Sequence, residues 1–136
     1  MIESEGGSID YDECGDGPTV VLVPGSCSTG AAWRPVISQW ENGFHCVTTS
    51  LLGYGGTAER RTAENTDISR EAEIVEAVVR RADGPVHLVG HSFGGLVVLS
   101  RSGTGCRCGA SRSSRLPRRN FCGPWESTDT IVHSGI

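Results

Sequence analysis

The chain contains no lysine; all twelve of its basic residues are arginine. A phosphate-cradling loop of the Walker type needs a lysine to reach the outer phosphates, so that route to nucleotide chemistry is closed. The glycine-rich loops also lack the spacing of a dinucleotide fingerprint. No apolar run approaches the roughly 20 residues that span a bilayer. The acidic start, MIESEGG, has neither the positive end nor the apolar centre of a secretion signal. These absences lead to the expectation of a cytoplasmic chain with no membrane partner. Excess charge is missing too, for a net charge of -4 exerts no strong pull toward nucleic acid.

Cysteine is present but without a regular pattern. The six cysteines stand at 14, 27, 46, 106, 108 and 122, irregularly for a disulfide framework, and free reduced thiols are the expectation. Cys106, Cys108, Cys122 and His133 can be drawn as a zinc set, yet their spacing matches no common zinc module. No metal and no cofactor is therefore expected. At 136 residues and 37% hydrophobic composition the chain suits one domain with a single modest core.

What is present is an alternation of strand and helix signals. Ser8 to Glu13 alternates and is followed by the turn cluster Gly15-Asp16-Gly17-Pro18, which reads as a short antiparallel strand and turn. Thr19 to Val23 is a continuous apolar run bounded by Pro24-Gly25, as a strand buried on both faces requires. From Ala31, the residues Trp33, Val36, Ile37 and Trp40 recur on one helical face, with Pro35 acceptable in the first turn. Phe44 to Thr49 is a second buried strand. Leu52 to Thr57 is a glycine-punctuated loop. Asp67 is placed to cap a helix carrying Ile68, Ala72, Val75, Val79 and Ala82, and Gly84-Pro85 stops it. That order predicts a mostly parallel α/β sheet sandwiched between helices in three layers.

The stretch from Pro85 to Leu99, PVHLVGHSFGGLVVL, is the one the chain is organised around. An apolar strand runs into a Gly-x-Ser-x-Gly turn and then into an apolar helix. A serine at the apex of so tight a turn is strained, and the residues two before and two after it are pressed together. Gly90 and Gly94 supply the missing bulk there, and Gly95 eases contact between helix and strand. The turn lifts the Ser92 hydroxyl clear of the sheet and aims a helix N-terminus at it, where backbone N–H groups can stabilise an oxyanion. Ser92 is the candidate nucleophile. His91, beside it, is expected to turn its ring away.

With VVLVPGS, SLLGYGGT and GHSFGG placed in this order, the first hundred residues resemble the α/β-hydrolase family. The resemblance implies that Ser26 and Phe93 each give one backbone N–H to the oxyanion hole. Pro24 replaces the family's usual histidine, Ser50 stands where aspartate is common, and Thr57 where serine is common. Epoxide hydrolases and haloalkane dehalogenases of this fold carry aspartate at the nucleophile position, so Ser92 implies hydrolysis of an ester, thioester, lactone or carbon–carbon bond, or acyl transfer. A small acyl compound is the implied substrate.

After Ser100 the resemblance stops. Residues 101–136 are rich in Arg, Gly, Ser and Cys, and between Arg101 and Asn120 there is almost no apolar periodicity. Two explanations remain open: a disordered basic tail, or a GC-rich reading frame that has shifted near Arg101. On this reading residues 1–100 form an incomplete hydrolase core. The tail offers Asp129 and His133 as acid and base candidates in the right chain order, four residues apart. The strand before Ser92 is left with a bare edge open to self-association. The alternative to an enzyme is a non-catalytic remnant that binds a partner through that edge or the tail.

Overall fold

The structure is a computed structural model that describes residues 1–4, 6–40, 43–102 and 129–133. The Cys106, Cys108 and Cys122 thiols of the drawn zinc set lie outside them. Two short strands, β1 (Ile2–Ser4) and β2 (Gly7–Ile9), form an antiparallel hairpin. The main sheet is built from β3 (Tyr11–Cys14), β4 (Thr19–Val23), β5 (His45–Thr49), β6 (Val86–His91) and β7 (Asp129–His133), in the order β3-β5-β4-β6-β7. Only β3 runs antiparallel to its neighbour; the other pairings are parallel.

Strand alternation decides what each face carries. In β4, Val21 and Val23 point into one cluster with Ile74, Val75, Val78 and Leu88, while Val20 and Leu22 point into a second with Cys46. Both faces of β4 are thus covered, as its unbroken apolar run demands. The first cluster lies under α2 (Ser69–Ala82) and α3 (Phe93–Ser102). The second lies under a helical stretch made of a 3₁₀ turn at Gly30–Trp33, α1 (Arg34–Ile37) and another 3₁₀ turn at Ser38–Trp40. Helix, sheet and helix are the three expected layers.

Several details depart from the sequence reading. The segment Ser8 to Glu13 is split at Asp10, whose N–H is taken by Thr57 Oγ1 at 2.9 Å and whose carbonyl accepts from Thr49 Oγ1 at 2.7 Å. Side chains stand in for ladder partners there, so the strand breaks into β2 and β3. Trp33, Ile37 and Trp40 pack inward, but Val36 is 38% exposed. One residue before Ile37 is about 100° around a helical turn, off the buried stripe. The cap position of α2 falls on Ile68 and not on Asp67, whose Oδ1 accepts the Ser69 N–H at 2.9 Å from one residue further ahead. Asp83 (φ 51°) and Gly84 (φ 93°) end the helix in the left-handed region.

The bare edge expected at β6 is corrected by β7. Asp129–His133 pairs in parallel with β6, from His87 opposite Asp129 to His91 opposite His133, so β6 is an interior strand. The segment DTIVH is apolar enough to take that position although its neighbours in sequence are not.

This topology fixes where a site can form. The chain leaves β4 for β5 on one side, and leaves β6 for β7 on the other. Where successive connections diverge in this way, a crevice opens beyond the carboxyl ends of the two strands. Here it lies between the ends of β4 and β6, which are Val23 and His91.

Candidate active site

Ser92 occupies that crevice. It is the one residue between β6 and α3, exposed to solvent, with φ at 54°. Its carbonyl accepts the N–H groups of Gly95 (3.0 Å) and Leu96 (3.3 Å), so the helix begins directly on the serine. The amides of Phe93 and Gly94 then belong to the first turn, which has no intrahelical acceptor to offer them. A side chain on Gly90 would stand 2.6 Å from the Gly94 carbonyl oxygen and 2.7 Å from Gly95 Cα. Glycine at 90 is what lets the strand and helix close over so short a turn.

The loop after β4 is pressed onto this turn. A Cβ on Gly94 would meet the carbonyl oxygens of Pro24 and Val23, the latter at 2.6 Å. A Cβ on Gly25 would stand 3.2 Å from Ser92 Cβ and 3.3 Å from His91 Nδ1. Two glycines, one from each element, therefore bring the Pro24-Gly25-Ser26 backbone alongside the serine. Pro24 and Gly25 are buried while Ser26 is exposed at the crevice, followed by Cys27 at φ 58°. The His91 ring lies edge-on to Trp33, with centroids 6.5 Å apart and planes at 88°.

Beneath the loop is a polar network that sequence reasoning missed. Ser50 is fully buried; its hydroxyl donates to Asp10 Oδ2 at 2.6 Å and accepts the Gly30 N–H at 3.0 Å. Thr57 Oγ1 donates to the Ser50 carbonyl at 2.8 Å. The Ser50 hydroxyl, just after β5, thus meets a carboxylate that just precedes the neighbouring strand β3. No local signal marked it, because both the burial of Ser50 and its partner at position 10 follow from the pairing of β3 with β5. Glu71 was missed as well. It is 2% exposed, accepts the Leu52 N–H at 3.0 Å and faces Arg61 at 3.5 Å. Burial pushes its carboxyl above the ordinary value, with the Leu52 amide and Arg61 pulling back. Both networks hold loops in place and stand apart from Ser92.

The register positions the two remaining candidates. His133 is the β7 residue opposite His91, at the carboxyl end of the sheet where Ser92 follows. Asp129 is opposite His87. Four residues of strand separate it from that end, about 13 Å.

The sequence model of the Alpha/beta hydrolase family matches residues 20–129. This chain belongs to the alpha/beta hydrolase family. It is 33% identical over 95 residues to (E)-2-((N-methylformamido)methylene)succinate hydrolase of Acinetobacter baylyi, covering 69% of this chain and 35% of that protein. It is 31% identical over 90 residues to the pimeloyl-[acyl-carrier protein] methyl ester esterase of Aliivibrio salmonicida, covering 66% and 32%. Among solved structures, an alpha/beta hydrolase from Sphaerobacter thermophilus is similar at a TM-score of 0.68 and 27% identity, over 77% of this chain and 40% of that one. An epoxide hydrolase from Vigna radiata is similar at 0.65 and 25%, over 74% and 33%. The chain spans about a third of the length of the curated relatives it matches. None of its described helices is long and apolar enough to cross a membrane.

Proposed function

We propose that the chain is a serine hydrolase acting on an ester or a related acyl bond through an acyl-enzyme. The observation that carries this reading is Ser92 at φ 54° on the turn between β6 and α3, in contact with the loop after β4. The hydroxyl of Ser92 attacks the substrate carbonyl, a base takes its proton, and the carbonyl oxygen becomes an oxyanion. The backbone N–H groups of Ser26 and Phe93 receive that charge, one from each of the two elements that the glycines bring together. Collapse expels the alcohol, and water releases the acid in a second passage through the same oxyanion. Serine at position 92, the likeness to a methyl ester esterase and the likeness to a hydrolase of an amide-bearing succinate all favour acyl chemistry over epoxide opening. For the base we favour His133, because its register position is at the carboxyl end of the sheet. At about 13 Å down the strand, Asp129 is too distant to orient an imidazole there.

The test is hydrolysis of p-nitrophenyl butyrate. Replacing Ser92 with alanine is expected to lower turnover by about 10³-fold or more with the fold kept. Equal rates for the two proteins would overturn the assignment. A folded chain with no turnover would favour the alternative of a non-catalytic module that binds a partner.

A further inference from the structure

The sheet places two cysteines face to face at the end opposite the serine. Cys14, the last residue of β3, is the direct antiparallel partner of Cys46 in β5. Directly opposed residues of an antiparallel pair point to the same face, with Cα atoms about 4.5 or 5.5 Å apart according to the ladder position. Both spacings fall within the roughly 4.4–6.8 Å that a disulfide accepts. The two thiols also differ in access. Cys14 is exposed, whereas Cys46 is 2% exposed in the cluster under Trp33, Ile37 and Trp40. Both are free thiols here, as is Cys27. Cys27 lies elsewhere, in the loop after β4 with its Sγ 3.6 Å from the Tyr54 hydroxyl.

We propose that Cys14 and Cys46 form a reversible cross-strand disulfide when the chain meets a low-molecular-weight disulfide such as oxidised glutathione, stapling β3 to β5. The exposed Cys14 thiolate attacks the glutathione disulfide, forming a mixed disulfide and releasing one glutathione. The Cys46 thiolate then attacks the Cys14 sulfur and releases the second. Two protein thiols lose two electrons and two protons, and one glutathione disulfide becomes two thiols. Burial, with Cys14 beside it, raises the Cys46 thiol above its ordinary value, so Cys14 is the entry point and Cys46 the slower resolving thiol. The staple has a structural reach. β3 follows directly from Asp10, which holds Ser50 and through it Gly30, so fixing β3 fixes the network beneath the loop at the serine.

The experiment uses the full chain, reduced and then incubated natively with oxidised glutathione, blocked with iodoacetamide, and mapped without reduction after cleavage beside Asp and Glu. The expected result is a Cys14–Cys46 linked peptide pair, two hydrogens lighter than the separate peptides and reversed by dithiothreitol. The oxidised chain should also melt at a higher temperature than the reduced one. Cys14→Ser, a change at the surface, should keep the reduced chain's circular dichroism and lose both effects. A glutathione adduct persisting on Cys14 while Cys46 is alkylated on denaturation would overturn the proposal. Cys14 paired with any other cysteine would overturn it equally.

Discussion

Ser92 holds a left-handed backbone conformation that costs a non-glycine residue about 1–2 kcal/mol. Only the surrounding turn keeps it there, since β6 fixes the chain before it and α3 the chain after. Substitution of Ser92 with glycine should therefore stabilise the protein by about 1 kcal/mol in urea denaturation while removing the hydroxyl. An unchanged midpoint would mean that the turn carries no strain. Electrostatics at a second residue can be tested through pH. Hydrogen bonds from Arg61, 2.5 Å away at the closest pair, hold the exposed Glu59 carboxyl at about 2, below its ordinary 4.5. The ionised form is favoured in the folded chain, so the stability it contributes is present above pH 4.5 and is lost as pH falls toward 2. Glu59→Gln should be slightly less stable than the parent at pH 7, with the gap narrowing below pH 4.5 and closing only as pH reaches about 2; a gap that did not narrow over that range would contradict the pairing. Solvent screening keeps the effect small.

Between elements, the contact that matters is β6 against α3. Gly90 faces backbone atoms of Gly94 and Gly95, which have no flexible end to move aside. Gly90→Ala should lower stability by about 1–3 kcal/mol in equilibrium unfolding, as overpacking does. A neutral result would show that the strand and helix are less tightly apposed. The close approach was legible in the sequence because a Gly-x-Ser-x-Gly turn has one mechanical solution, and glycine spacing reports it. The buried strands were legible for a similar reason: TVVLV can only be covered on both faces. The split at Asp10 was not legible. It depends on Thr49 and Thr57, 39 and 47 residues away, which take the backbone groups that a strand would have paired. Val36 was misplaced because the stretch from Gly30 to Trp40 alternates between 3₁₀ and α turns, whereas the periodicity argument assumed one uniform helix.

At the scale of the whole molecule, strand order does what composition could not. Placing β4 between β5 and β6 sends the two following connections apart and opens the crevice at their carboxyl ends. The alternation of strands and helices announced the three layers, but not that β7 would join beyond β6. DTIVH is only five residues long, and the arginine-rich sequence before it conceals its pattern. The candidate nucleophile and its glycines were thus readable locally, whereas the Asp10 to Ser50 network and the position of His133 depend on pairings across the sheet. The central claim is that Ser92 is an activated nucleophile, and fluorophosphonate labelling followed by intact mass tests it without knowledge of the substrate. The account predicts a single adduct on the parent chain and none on Ser92→Ala with unchanged circular dichroism; a folded parent left unlabelled, or equal labelling of both proteins, would contradict it.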